Sequence, residues 1–555
     1  MRKTLLTTCL LIATATQAQV LYVNNTDGTY QAFDTQQNEE VTFVPEYQLI
    51  RIRMNDGTKS QFATAKITNI SPESNKGVEL NYNLSPKVAF DANDADKYNE
   101  IIETIITDEL DDESGDFVEN YKPERTITIT FSETGVKTSS LPSDITATID
   151  NGHIVINSAR SKVAYRVTGT CSNGSLKIYS TKKFQIMMQN LSLTNPTGPA
   201  INIQSGKTVY FTLLNGTTNT LCDGGTYSTP EIAADGTEED QKGTLFSEGQ
   251  LIFNGEGTLN VTSLGGHGIC SDDYIRVRSG NINVLNAAKD GFRTKEKFIV
   301  GRTASAAPTI TVNATNNGID CSEGTLTIEA GKLDIKSGSE GIKVEYEELV
   351  PDPTVIPDAY IKGGFIKIAT TGEKSSAIKT TRNYTQSGGI IQATVNGDGS
   401  KIINSDGNVT FSGGKLTGIA KGTVVAGDET SAGGIKCEGD IDITAGIIEL
   451  ECNGNGAKSI NCNGNTTIDG GKVTLIATGE NYTEIVDDKK SRAITTGTFT
   501  IKSGTVVASA YDNAIAATTS ITINGGILNA FSETNDALNI EASHTDGWLL
   551  TKDAE

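Results

Sequence analysis

Gly268-Ile269-Cys270-Ser271-Asp272-Asp273-Tyr274-Ile275-Arg276-Val277-Arg278-Ser279-Gly280 opens a unit that this chain repeats to its end. Each unit has a small residue, an apolar anchor, a polar turn, and then strands that close at Gly-Gly or Ser-Gly. The anchors are Gly268-Ile269, Gly291-Phe292, Gly318-Ile319, Gly341-Ile342, Ala377-Ile378, Lys401-Ile402, Gly434-Ile435, Ser459-Ile460, Ala493-Ile494, Ala514-Ile515 and Ala537-Leu538. Successive apolar anchors lie 23, 27, 23, 36, 24, 33, 25, 34, 21 and 23 positions apart by difference of their numbers. A period near two dozen residues with occasional insertions is the signature of a solenoid. Within the units, apolar residues alternate at period two, as in Tyr274-Ile275-Arg276-Val277 and Thr325-Leu326-Thr327-Ile328. That is strand periodicity and excludes helical repeats.

Three short strands with their turns fill about 23 residues, one coil of a parallel β-helix, and coils stack at about 4.8 Å. The pairs Gly363-Gly364, Gly388-Gly389 and Gly413-Gly414 are read as the corners between faces, because Gly adopts positive φ at no steric cost. Propeller blades are longer, at about 40 residues. The expected fold is therefore all-β, a right-handed parallel β-helix by the crossover rule. It should have Ile269, Ile319, Ile342, Ile378, Ile435, Ile460 and Ile494 in one buried ladder and Trp548-Leu549-Leu550 as the C-terminal cap.

Four segments are expected: 1–18 a leader, 19–78 a two-copy β-hairpin module, 79–125 an acidic linker, and 126–555 the β-helix. Arg2-Lys3 followed by Leu5-Leu6 and Leu10-Leu11-Ile12 reads as a secretory signal cleaved near Ala18. Cys9 lies too early for lipid attachment, and no later run is apolar enough to span a membrane. The chain is read as exported, to periplasm, cell surface or medium. In the module, Val20–Val23 with Asp27-Gly28 and Leu49–Met54 with Asp56-Gly57 are two related hairpin signals. The linker, with Asp108-Glu109 and Asp111-Asp112-Glu113, reads as solvated chain, since like charges repel and rarely pack.

A formal net charge of −22 argues against nucleic acid and against anionic membrane. Seven cysteines remain after the leader, so complete pairing within one chain is impossible. Cys321, Cys437 and Cys462 each stand two places after an anchor. They read as an inter-coil disulfide or, favoured by the core habit of free cysteine, as a thiol ladder.

The segments Gln189–Asn195, Leu245–Phe253, Gly255–Val261, His267–Ile275 and Lys289-Asp290-Gly291 resemble a bacterial carbohydrate-binding β-helix family. That family is typified by a clostridial surface protein that binds polygalacturonic acid and cellulose. The resemblance covers about Thr126 to Leu538. It implies a β-helix related in shape to pectate lyases, bound Ca²⁺, and a polysaccharide ligand of acidic, pectin type.

The residues themselves offer compatible chemistry. Counting from each anchor, Asp272-Asp273, Lys295-Glu296 and Ser322-Glu323 share places, so Asp273, Glu296 and Glu323 form a carboxylate column. The place before each Gly gives a second column of His267, Asp290, Asn317 and Glu340. Stacked carboxylates call for cations or a shared metal, and Ca²⁺ takes six to eight oxygens. The metal candidates are Asp272, Asp273, Asp290, Glu296, Asp320, Glu323 and Glu340. Arg293, Lys343, Lys379 and Lys436 follow their anchors and form a basic strip. With Tyr274 as an aromatic platform, they are the ligand-binding candidates. The expected function is Ca²⁺-dependent, non-catalytic binding of acidic polysaccharide by a monomer. A pectate-lyase-like eliminase using Lys289, Arg293 or Lys295 as base is the enzymatic alternative. A protein-binding adhesin is the structural one.

Overall fold

The structure is a computed structural model. It describes residues 20–26, 29–34, 36, 38–44, 49–54, 59–63, 67–71, 78–79, 87–98, 115–233, 236–301, 306–346, 352–484, 488–540 and 550–551. The leader, the two Asp-Gly turns, Asp108–Glu113, Trp548 and Leu549 lie outside these residues.

From Arg125 onward the chain winds through three parallel sheets. The first, called here the anchor sheet, runs through strands such as Gly243–Ser247, His267–Ser271, Phe292–Thr294, Ile319–Cys321 and Ile342–Val344. The second includes Leu251–Gly255, Ile275–Val277 and Phe298–Val300, and the third Thr258–Ser263, Asn281–Ala287 and Thr309–Ala314. Ile269 pairs with Phe292, Phe292 with Ile319, Ile319 with Ile342 and Ile342 with Ile378. The ladder continues through Ile435, Ile460 and Ile494 to Ile515 and Leu538. The isoleucines and Phe292 along it are almost fully buried.

One anchor is displaced from its expected place. Ile378 pairs with Ile403 and Ile403 with Ile435, so Ile403 stands in the ladder and Ile402 takes the place that Gly or Ala holds in most coils. A Cβ on Gly418, in the third sheet, would come within 2.9 Å of Ile402 Cγ1. The facing glycine therefore makes the room that the extra side chain uses, since a close-packed interior conserves volume.

The corner glycines behave as read: Gly364, Gly389 and Gly414 have φ of +81°, +68° and +74°. Polar corners stack as well. Asp358 Oδ1 accepts from Asn383 N, Asn383 Oδ1 from Asn408 N, Asn408 Oδ1 from Asp440 N and Asp440 Oδ1 from Asn465 N, at 2.7–3.0 Å. Each coil's side chain thus satisfies the next coil's backbone, which leaves no orphan donor at the turn. Cys437 and Cys462 are in register with free thiols donating to Gly407 O and Gly439 O, both at 3.1 Å. They form the thiol ladder.

The leading edge is closed by antiparallel pairs: Arg125–Ser132 with Gly135–Thr138, and Ile145–Asp150 with His153–Ser158. Such hairpins blunt an edge that would otherwise template aggregation. At the other end Leu550–Thr551 pairs in parallel with Ile515–Ile523. The module at 20–79 is antiparallel except at its edge, where Val78–Glu79 pairs in parallel with Thr29–Asp34. Val20–Asn25 pairs with Thr29–Asp34 and with Ile67–Ser71, and Leu49–Met54 pairs with Asn38–Val44 and Lys59–Ala63. The two hairpins share one core of Leu21, Val23, Phe33, Ile50, Ile52, Ile67 and Ile70.

The acidic linker is not simply solvated chain. Residues 87–98 dock on the third sheet, where Asp94 accepts from Lys415 at 2.9 Å and from Gln392 at 3.1 Å. Residues 115–121 dock on the second sheet through Val118 and Tyr121. Charge composition misses this because Asp94, Asp116 and Glu119 each meet a cation from a distant coil.

Candidate functional site, the outer face of the anchor sheet

Residues that follow the anchors point outward in one column: Cys270, Arg293, Asp320, Lys343 and Lys379, then Asn404, Lys436 and Asn461. The four cations of the expected strip are therefore aligned, but Asp320 and Asn404 interrupt them. Each cation is also paired. Arg293 reaches Asp320 at 3.1 Å and Asp290 at 3.8 Å, Lys343 pairs with Glu345, Lys379 reaches Glu345 at 3.4 Å, and Lys436 reaches Glu438 at 2.5 Å. Glu345 and Glu438 follow a coil's last anchor-sheet residue, the place that Asp272 and Lys295 hold in theirs. The face is a lattice of alternating charge rather than a uniform basic strip.

The second expected carboxylate column exists with a different task. Asp290 Oδ1 accepts the Asn317 backbone N–H at 3.0 Å, and Asn317 Oδ1 accepts that of Glu340 at 3.2 Å. His267 Nδ1 lies 3.0 Å from Asp290 Oδ2. Burial alone would raise the Asp290 carboxyl, but the bond to His267 and the N–H of Asn317 hold it below its ordinary value. Asp290 is thus engaged as a backbone acceptor and an ion-pair partner, which departs from its expected role as a metal ligand. Glu340 accepts from Ser339 at 2.8 Å.

Asp273 and Glu296 do stack. Burial first, and then the Glu296 charge, push the Asp273 carboxyl up to about 6, while Gln250 donates to it. Glu323 pairs with Lys295 at 3.5 Å. Asp320 is 3% exposed, and burial with the Asp290 charge raises its carboxyl. Tyr274 is not an open platform: its hydroxyl donates to Asp116 at 2.5 Å.

Among the described residues, the convergent acidic group is Asp240, Glu248 and Asp272, whose ligand atoms lie within 4.8 Å of one another. Asp272 was legible in sequence; the other two were not singled out. Glu248 stands where Asp272 does, one coil earlier, as Leu245-Phe246-Ser247-Glu248 set beside Ile269-Cys270-Ser271-Asp272 makes visible. Asp240 comes from the insertion between Thr218–Asp223 and Gly243–Ser247 and carries no periodic signal. Burial, then Asp272 and Asp240, push the Glu248 carboxyl up to about 7. Lys242 sits in the group, 2.8 Å from Asp240 and 2.5 Å from Asp272. The triad could hold a metal ion, since three carboxylates supply part of an oxygen shell, and an ion there would have to displace the Lys242 ammonium that now pairs with Asp240 and Asp272.

Two polar clefts lie on the earlier coils, and the same insertion lines the first of them. One, of about 170 Å³, is lined by His153, Lys177, Asn202, Glu239 and Gln241. The other, of about 500 Å³, is lined by Asp144, Asn157, Tyr179 and Gln204. Tyr179 lines the larger cleft, and its hydroxyl donates at 2.7 Å to Glu239, which lines the smaller. Amides, one aromatic face and few apolar groups make a surface suited to hydroxyl-rich ligands. Tyr179 escaped the sequence reading because it precedes the regular repeats.

Comparison with known proteins places these coils. A family model described as carbohydrate-binding domain-containing protein matches residues 150–482, well over half of the chain. Among solved structures, the polysaccharide lyase-like protein from C. thermocellum, a gadolinium derivative, is similar at 20% identity, with a TM-score of 0.37. The likeness covers 52% of this chain and 96% of that one. No curated protein matches the chain.

Proposed function

We propose, from the premise that this chain belongs to the family of carbohydrate-binding domain-containing proteins, that it is an exported, monomeric, non-catalytic receptor for acidic polysaccharide. The carrying observation is the outer anchor face, where a carboxylate triad and a lattice of paired cations lie within the matched residues and an amide-lined cleft lies at their leading edge. Ca²⁺ held by Asp240, Glu248 and Asp272 would complete its shell with the carboxylates of a polygalacturonate-like ligand, joining two anions that otherwise repel. Lys343 and Lys379 share Glu345, so a ligand carboxylate can exchange into that cluster without stranding a charge. The leader read at residues 1–18 supports export.

Non-catalytic binding is preferred over elimination because a base must be free to take a proton. Of the three candidate bases, Arg293 is held by Asp320 and Asp290 and Lys295 is paired with Glu323, which leaves Lys289 to the test of turnover. The test is titration of polygalacturonate into the chain and into Asp240→Asn/Asp272→Asn and Lys343→Gln/Lys379→Gln variants. The reading requires both to weaken binding; equal affinity in all three would move the site off this face.

A further inference from the structure

Ser376, Lys401, Gly433, Lys458 and Arg492 share one register column, beside the Asn404, Lys436 and Asn461 column of the anchor face. Gly433 has no side chain, so a notch of about 10 Å³ opens between Lys401 and Lys458, walled by Ser431, Lys436 and Asn461. It stands six coils along the face from Asp272, about 29 Å at the spacing of stacked strands. Four cations near it each hold a carboxylate. Lys436 reaches Glu438 at 2.5 Å, Lys374 pairs with Asp428, Lys489 reaches Glu429 at 2.9 Å and Arg492 reaches Asp512 at 3.4 Å. Lys401 does not, although the chain carries a net charge of −22. Its ammonium donates to Gly399 O at 2.6 Å, and no carboxylate among the described residues pairs with it. Burial, and then the Lys436 charge, pull that ammonium down to about 8. The side chains of Ser431 and Asn461 also lack a hydrogen-bond partner among the described residues. An unpaired ammonium and two open donors therefore meet at one small space.

We propose that this notch is a subsite for one carboxylate of an acidic glycan, held by Lys401 with Ser431 and Asn461 as flanking donors. The inference rests on the acidic-glycan reading above and deepens it. A space of this size admits one water-sized group, so one carboxylate oxygen enters and the sugar stays outside, beside Lys436. The charge-assisted bond to Lys401 supplies the acid partner that the fold omits. It also favours the charged form that burial disfavours, so ligand and ammonium stabilise each other. One such bond gives an affinity on the order of millimolar by itself. Polymer binding therefore still requires the ion at Asp240, Glu248 and Asp272, and the notch adds a second attachment along the same chain. A sulfate ester presents the same kind of oxygen, and the test separates the two.

The test follows Lys401 by ¹³C NMR of lysine side chains in the full chain, with chelator present so that no ion sits at the triad. The probes are trigalacturonate, its methyl ester and a sulfated trisaccharide, each at millimolar concentration. Trigalacturonate should raise the Lys401 titration midpoint by about one pH unit, because the anion binds the charged form. Its affinity should hold below a pH of about 8 and fall as pH rises through the raised midpoint. Lys401→Gln should remove that pH dependence, which assigns it to Lys401 rather than to Lys374, Lys436, Lys458, Asp428 or Glu438 around it. The methyl ester should move nothing. With Ca²⁺ present, Lys401→Gln should weaken polygalacturonate binding about tenfold. It should not lower the melting temperature, since the residue has no acid partner to lose. A midpoint that no anion moves, or equal polymer affinity in Lys401→Gln, would overturn the proposal and leave a water-filled notch. A shift with the sulfated trisaccharide alone would overturn the carboxylate assignment. The chelator arm does not involve the triad, and Asp240→Asn/Asp272→Asn does not touch Lys401, so either reading can fail without the other.

Discussion

Ile402 and Gly418 exchange volume across the interior, and the exchange can be measured. Gly418→Val places a branched side chain where a Cβ alone would meet Leu450 at 2.8 Å and Ile402 at 2.9 Å. Overpacking of this kind costs about 1–3 kcal/mol. Ile402→Ala alone opens a cavity, at about 2–5 kcal/mol. The double variant should cost clearly less than the two single costs together in urea unfolding, because each change fills or vacates the other's space. Additive losses would mean that the two side chains do not share a pocket. Asp290 makes a second residue-level case. Its carboxyl lies below its ordinary value, so the folded state binds fewer protons than the unfolded one over the acid range. The stability it contributes is present above an unfolded pKa of about 3.9 and is lost as pH falls through the folded value. Losing the charged acceptor in Asp290→Asn should cost about 2 kcal/mol at neutral pH, and the two proteins should converge in stability as pH falls through and below the lowered Asp290 value. A gap that persists at low pH would assign the cost to geometry rather than charge.

The ladders were legible because a β-helix writes its register into the chain: inward residues recur once per coil, and corners need Gly, Asn or Asp. Hence the anchor ladder, the Gly364, Gly389 and Gly414 corners, and the Cys437–Cys462 stack could all be read from spacing alone. Ile403 was missed because Ile402-Ile403 presents two equivalent apolar residues, and only strand pairing chooses between them. The metal and ligand residues were less legible. Columns can be counted, but their partners come from insertions and from the linker, as with Asp240 beside Asp272 and Asp116 beside Tyr274. No periodicity connects residues so far apart in the chain. The thiol column makes an element-level prediction. Val344 follows Cys321 in the column that later holds Cys437 and Cys462. Cys437→Val should therefore be tolerated, at a cost of about 1.5 kcal/mol or less in thermal unfolding. A loss several times larger would indicate that the thiols bond to each other.

At the scale of the whole molecule, the proposed function rests on one long charged face, and the docked linker runs over the two other sheets. A net charge of −22 repels polyuronate at long range, but at physiological salt that reaches only about 8 Å. Under the proposed reading, recognition comes from local bridges, and among the described residues the Asp240, Glu248 and Asp272 group is the acidic cluster that could hold an ion. Added Ca²⁺ should raise the melting temperature, by an amount equivalent to about 2.7 kcal/mol at a hundredfold excess over the dissociation constant. Asp240→Asn/Asp272→Asn should remove the shift. The most direct measurement is calorimetric titration of polygalacturonate into the full chain with Ca²⁺ and then with chelator, while ultraviolet absorbance follows any unsaturated uronate. The account predicts saturable binding with Ca²⁺, its loss on chelation, and no rise in absorbance. Absence of binding with Ca²⁺ present, or absorbance that grows with time, would contradict it.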